Sequence, residues 1–310
     1  MSFLLYIAIP FVVYLLLPTV FMIQMWFNHT TSLGKWLIEL ALFGLYIIDL
    51  FLTGVWPLTY GYLIRYVLLI VFVIVAVKSF FNVDRTFYFK LLPINQLLLN
   101  IVYLCVICFF AARITLAFMG STHPKSSVEM EFPLKGKTFY VVHGGSNPII
   151  NHHFFVSAQK YALDITKLNS YGFRANSLFP SQLKDFFIYE TTVYSPCDGI
   201  VVDAVDEHED LAPREMDPSH PAGNYLAIKK KDSEVVVILA HLMKDTLLFK
   251  KGETILQGQP IAKVGNSGNT TEPHLHIHAT LQEEGEDILF TGSGVPITFK
   301  KRFLVRNDKL

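Results

Sequence analysis

Apolar residues crowd the first 120 positions of this chain and thin out after them, and no other feature limits the fold as much. Residues 1–120 hold only six Lys/Arg (Lys35, Arg65, Lys78, Arg85, Lys90, Arg113) and three acids (Glu39, Asp49, Asp84). Four stretches within them, Leu4–Trp26, Trp36–Trp56, Leu63–Phe81 and Leu97–Met119, are long enough to cross a hydrocarbon core, which takes about 20 helical residues. The sequence therefore predicts an all-α membrane region of four transmembrane helices over 1–120. The first stretch lacks a basic leader and a small-residue cleavage site, so it reads as a retained helix rather than a signal peptide. Trp26, Trp36 and Trp56 fall at span ends, where indole rings anchor at the interface.

The connections set an expected orientation. The first carries Lys35 and the third carries Lys78, Arg85 and Lys90, whereas the second, Trp56–Tyr62, carries no charge. Positive residues stay cytoplasmic, which places both termini outside and delivers the second half of the chain to the extracytoplasmic face. Asp49 and Arg65 lie in or near spans, where charge is expensive. The alternatives there are a functional site, snorkelling, or a pair between neighbouring helices.

The remaining residues, 121–310, hold 20 bases (26 − 6) and 23 acids (26 − 3), and that length suffices to bury a core of its own. With no net charge and no basic block, nucleic acid is excluded as an expected partner. Residues 121–136 are polar with two prolines and read as a linker, leaving 137–310 as a folded domain. Eight short β-rich runs follow: 138–143, 161–165, 191–196, 199–205, 224–230, 234–242, 260–265 and 274–281. Gly, Pro, Asn and Asp punctuate them, which predicts a mostly antiparallel β domain with one short helix near Ser181–Phe187. His208–His220 reads as an exposed acidic loop without the ligand spacing of a calcium hand. Cys197 stands alone in this half, so no disulfide forms within it, and Cys105 and Cys108 sit in an apolar run.

The chemistry concentrates in GNSGNTTEPHLHIHA (265–279). His274, His276 and His278 alternate along a strand and so share one face. Three imidazoles on one face make a poor core because each ring nitrogen wants a partner, but they suit a metal or proton transfer. Asp164 lies inside an apolar strand, where an ionised carboxylate is costly unless paired or metal-bound, and His241 lies at the end of another. His143, before a glycine pair, either lines a cleft or belongs to an ordinary turn.

SPCDGIVV, ILAHL, GETILQGQPIAKVGNSG and EPHLHIH occur in the order found in the LytM/lysostaphin-type metallopeptidases, and the likeness runs over roughly 139–280. This resemblance implies a zinc-dependent endopeptidase acting on cell-wall peptidoglycan. Asp164 and His276 match that family's metal ligands, and His241 and His274 match its two catalytic histidines. One of these two would take the proton of a zinc-activated water, and the other would hold the oxyanion or protonate the leaving amine. The family's first histidine ligand stands four residues before the aspartate, and here that position is Lys160. The candidates lie further upstream: Asn-x-His (151–153) followed by Gln-Lys-Tyr-Ala-Leu-Asp (159–164) resembles a subgroup of that family, which implies His153 as the ligand, with His152 as the alternative. His278 either supports the site through His276 or sits beside it.

Three functions compete. The first is a membrane-anchored zinc endopeptidase whose partners are the bilayer and peptidoglycan or another peptide. The second, motivated by Lys160, is a non-cutting regulator that binds the wall and controls other hydrolases. The third gives the work to the helices, with transport or sensing as the activity.

Overall fold

The computed structural model describes residues 3–27, 32–83, 94–136, 138–282 and 289–310. Arg85 and Lys90, two of the charges behind the expected orientation, lie outside these residues. Two compact units divide the chain, Met1–Leu116 and Ala117–Leu310.

The first unit is helical: α1 (Phe3–Pro10), a π-helical turn (Phe11–Leu16), α2 (Leu17–Phe27), α3 (Leu33–Thr53), α4 (Ile64–Phe80) and α5 (Ile94–Gly120). The π turn falls between Pro10 and Pro18, neither of which can donate a backbone hydrogen bond, and the helix widens there rather than ending. Among the described residues, three helical stretches are long and apolar enough to cross a membrane: Ile7–Phe27, Leu33–Thr53 and Leu97–Gly120. The fourth expected span folds as the 17-residue α4, about 25 Å long at 1.5 Å per residue, the lower end of what a bilayer needs. Met25, Phe43, Ile47, Leu50, Trp56 and Phe72 form this unit's core. Asp49 does pair between helices, but with Arg113 of α5, whose Nε lies 3.0 Å from its Oδ1. Arg65 instead stacks on Phe51, 4.0 Å from the ring centroid.

The second unit is mostly antiparallel β. Its strands are β1 (Val128–Met130), β2 (Phe139–His143), β3 (Leu163–Lys167), β4 (Thr192–Tyr194), β5 (Gly199–Val205), β6 (Asn224–Lys230) and β7 (Val235–Leu242). After them come β8 (Thr254–Ile255), β9 (Pro260–Lys263), β10 (Leu275–Leu281), β11 (Ser293–Val295), β12 (Ile297–Phe299) and β13 (Arg302–Phe303). Each of the eight expected β-rich runs contributes a strand. The unexpected ones, β1, β8, β11, β12 and β13, are two or three residues long, too short to show an alternation. The expected short helix is a 3₁₀ turn at Leu183–Asp185.

The main sheet runs β2-β3-β10-β7-β6-β5-β8, with β11 beside β10. One face carries Leu163, Ile165, Val237, Leu239, Leu275 and Ile277, which pack with Val193, Ile261, Ile297 and Phe299 from the smaller sheets. The alternate residues of the same strands point to the opposite face. That face holds the site.

A candidate metal centre on the second face of the sheet

Register places the first two groups. In the β3–β10 pairing Asp164 lies directly opposite His276, so both side chains leave the sheet on the same side. His278, two residues further along β10, shares that face. On the other flank His143 lies opposite Asp164 across a bulge in β2.

His153 arrives by a different route. It sits in a 3₁₀ turn, His152–Phe155, capped by Asn151, whose Oδ1 accepts from His153 N at 3.1 Å. Asn151 is fully buried, and its Nδ2 divides between the carbonyls of Gly145 (3.0 Å), Lys160 (3.3 Å) and Ala162 (3.1 Å). One amide thus staples the loop to the start of β3 and brings His153 Nε2 to 2.9 Å from Asp164 Oδ2. His152 Nε2 stays 3.9 Å from the same oxygen, with its side chain 55% exposed. Lys160, at the position where the resembled family has its first histidine, places its ammonium 4.9 Å from the Phe154 ring centroid.

His241 reaches the site through a break in the ladder. Asn224 pairs with Leu242 and Tyr225 with Ala240, so His241 is the extra residue of a bulge, with φ of 60°. Strict alternation would have turned it to the packed face, because its neighbour Ala240 faces the site. Its Nδ1 lies 2.9 Å from the Ser267 carbonyl, and its ring centroid lies 4.8 Å from that of His274.

His274 is held by the turn before β10. Its Nδ1 lies 3.0 Å from the Glu272 carbonyl, and Thr270 Oγ1 donates to that same carbonyl at 2.8 Å. The Glu272 carboxylate receives Arg174 Nε at 2.8 and 2.9 Å, deep in the fold. The sequence reading gave Arg174 and Ser267 no role, and it used Asn151 only as the first residue of the Asn-x-His pattern. Only the asparagine just before a His-His pair offered a signal there, as a helix cap.

The electrostatics follow from burial and from one carboxylate among many rings. Burial alone would raise the Asp164 carboxyl, yet the facing His153 and His274 hold it well below the usual carboxylate range. Burial pushes His276 down to about 4, and pushes His241 and His278 well below the ordinary imidazole value with help from neighbouring rings. For His274 burial also opposes protonation, but the charge and hydrogen bond of Asp164 overcome it and raise the group. Arg306 reaches His143 Nδ1 at 2.8 Å, so that nitrogen accepts.

His153, Asp164 and His276 each offer one atom within 4.8 Å of the others. Two imidazoles and a carboxylate are donors suited to a catalytic zinc with an open position. His241 and His274 stand beside them, so the five residues singled out first lie together, while the more exposed His152 gathers with His143 and the same Asp164 in a second set of this kind. His208, Asp217 and His220 also gather, in the exposed loop, where His220 Nδ1 bonds Asp217. A cavity of about 220 Å³ opens beside the site, walled by Ile238, Ala240, Leu289 and Phe290 and by the rings of His153, His276 and His278.

Residues 184–288 match the family described as Peptidase family M23. That segment contains His241, His274 and His276 but does not reach back to His153 and Asp164, whose candidacy as ligands rests on geometry. A peptidoglycan DD-endopeptidase of Vibrio cholerae, ShyA, is 39% identical over 87 residues, 28% of this chain and 16% of that protein. An uncharacterized metalloprotease of Haemophilus influenzae is 32% identical over 133 residues, 41% of this chain and 25% of that one. The chain thus spans a quarter or less of these relatives' lengths. Among solved structures, a zinc containing peptidase from Vibrio cholerae overlaps 59% of this chain and 39% of its own, at 21% identity and a TM-score of 0.28. The catalytic domain of lysostaphin from Staphylococcus simulans overlaps 36% and 80%, at 18% identity and a TM-score of 0.25. Overlaps this low leave the chemistry to the site's own geometry.

Proposed function

We propose that this chain, which carries a peptidase family M23 domain, is a membrane-anchored zinc endopeptidase that hydrolyses peptide bonds in peptidoglycan. The observation that carries the reading is the convergence of His153 Nε2, the Asp164 carboxylate and His276 Nδ1, with two further histidines alongside. His153, Asp164 and His276 are the proposed ligands, and zinc is the metal that the family and this donor set imply. The peptidoglycan assignment is supported by the named activity of the ShyA relative.

Bound zinc supplies a water acidified towards ~7 and a polarising charge for the scissile carbonyl. The hydrogen bonds of the two remaining histidines divide the proton work. His241 Nδ1 faces a carbonyl, which only accepts, so its proton sits on Nδ1 and the Nε2 lone pair is free to take a proton from the attacking water. His274 has acceptors at both ends, the Glu272 carbonyl at Nδ1 and Asp164 Oδ1 at 3.5 Å from Nε2. It is built to hold a proton and present it to the developing oxyanion or the leaving amine. Across the cycle the water oxygen bonds the carbonyl carbon, the C–N bond breaks, and the water's proton ends on the amine.

The apolar helices are the proposed anchor. We take four of them to span, because the 17 residues of α4 reach the lower limit for a span. An even number of spans puts both termini on the same side, outside by the lysine distribution. A wall-binding regulator drew its support from Lys160, and His153 Nε2 at 2.9 Å from Asp164 Oδ2 supports the peptidase reading over it by offering a ligand in place of the missing one.

The test uses the full chain in detergent. Elemental analysis is expected to find one zinc per chain. Digestion of isolated peptidoglycan should release new amino termini in a reaction that chelators stop and that Asp164→Asn or His276→Ala abolishes. Zinc-loaded protein that leaves peptidoglycan and its soluble peptide fragments intact overturns the reading.

A further inference from the structure

Another group of ligand-type side chains lies outside that chemistry, in the loop between β5 and β6. His208, Asp217 and His220 each offer one ligand atom within 4.8 Å of the others. The two imidazole rings lie 4.3 Å apart between centroids, tilted by 33°.

Hydrogen bonds to the rest of the domain hold this group in place. His208 N donates to Asn224 Oδ1 at 2.8 Å, Asn224 Nδ2 donates to the His208 carbonyl at 2.8 Å, and Asn224 is fully buried. At the other end, Gly223 N donates to the His220 carbonyl and Asp217 N to the Gly268 carbonyl, both at 2.9 Å. Between them, Leu211 N and Arg214 N donate to the carbonyls of Asn266 and Thr271. The loop is therefore bonded along 266–271, the turn that carries Ser267 and leads into His274. Donors pinned in this way cost little further ordering when they close on one ion.

The side-chain bond of His220 decides which nitrogen is open. Its Nδ1 lies 2.7 Å from Asp217 Oδ2. An ionised carboxylate only accepts, so the proton of the neutral ring sits on Nδ1 and the Nε2 lone pair is free. A carboxylate on the far nitrogen is the usual support of a metal-ligating imidazole. Two imidazoles select a first-row transition metal such as zinc, whereas calcium and magnesium take oxygen ligands.

We infer that His208 and His220 are the ligands of a second divalent transition-metal site, which takes zinc, with Asp217 orienting His220 and water completing the shell. It shares no residue with the sets around Asp164. The His220 side chain is 55% exposed, so this site is the weaker one and empties on dialysis, leaving the single zinc expected at the buried set. An ion there ties the two ends of the 208–220 loop together. Pro221 and Ala222, next along the chain, line the cavity beside the buried set, so the clamp braces one wall of it.

The test is a zinc titration of the full chain in detergent, read by calorimetry and by hydrogen exchange of peptides from 209–219. The wild type should show two classes of zinc site. Asp217→Ala should weaken the weaker class about 10- to 100-fold, the usual cost of losing an orienting partner, and His208→Ala and His220→Ala should each weaken it further than that. His276→Ala should do the opposite and remove the tighter class alone. With zinc at ten times the weaker Kd, amides that exchange through loop opening should slow about tenfold. That slowing is expected in the wild type and in His276→Ala, and not in His220→Ala. Calcium at the same concentration should leave these amides unchanged. A single zinc class that His276→Ala abolishes overturns the inference. So does a second class that neither His208→Ala nor His220→Ala weakens, or equal slowing by calcium. A wild-type chain with the weaker class alone defeats the peptidase reading instead and leaves this site standing.

Discussion

The Arg174–Glu272 pair gives the sharpest test of how the site is supported. Arg174 Nε meets both carboxylate oxygens of Glu272, at 2.8 and 2.9 Å, and the two side chains are only 4% and 11% exposed. An exposed pair contributes ~0–1 kcal/mol. Removing one partner of a buried pair strands a charge in low dielectric and costs about 3–5 kcal/mol. Arg174→Ala should therefore destabilise the β unit by that larger amount. The three Trp residues all lie in the first unit, so fluorescence would report on the wrong part. Hydrogen exchange of β7 and β10 peptides in the full chain is the suitable assay, and the loss should accelerate their slowest amides by roughly two to three and a half powers of ten. Because the Glu272 carbonyl also holds His274 Nδ1, turnover should fall as well. The double variant Arg174→Met, Glu272→Gln removes both charges and should recover most of the stability. If Arg174→Ala costs less than about 1 kcal/mol, the pair is solvated in solution and the reasoning fails.

Two further outcomes follow from other parts of the site. At His241, φ of 60° strains any residue with a Cβ, so His241→Gly should be more stable than His241→Ala by about 1 kcal/mol while both lose turnover; the reverse order by denaturant titration rules out the bulge. In chelated protein His276 titrates near 4 when folded against about 6.5 unfolded, so below 6.5 the unfolded chain binds the proton first. Stability is fully present above 6.5 and is lost as pH falls towards 4, by on the order of 2 kcal/mol between pH 7 and pH 5 from this group alone. The similarly lowered His152 acts in the same direction and the raised His274 opposes both. A flat stability profile across that range, measured by hydrogen exchange, contradicts the burial of His276.

Much of this was readable from residue order, because it depends on short-range periodicity. Apolar runs near 20 residues long marked the helices, and alternation put Leu275 and Ile277 on one face of β10 and His276 and His278 on the other. The same alternation set Asp164 facing away from Leu163 and Ile165. The strand count fell short only where strands were two or three residues long. Residue order narrowed the remaining ligand to His152 or His153 and favoured His153 through its resemblance to a motif, but it could not show how that side chain reaches Asp164.

That choice depends on contacts between distant residues. Asn151 reaches Gly145, Lys160 and Ala162 and so folds a turn back over β3, which no local pattern encodes. His241 joins the site only because one extra residue in β7 reverses its direction. The placing of His274 depends in part on Arg174, 98 positions from Glu272. Sequence by itself determined which faces and which residue types the chemistry could use, since alternation and hydropathy act over a few residues. Tertiary structure alone decided which histidines meet Asp164, because buried amides, carbonyls and charges must find partners wherever the folded chain brings them.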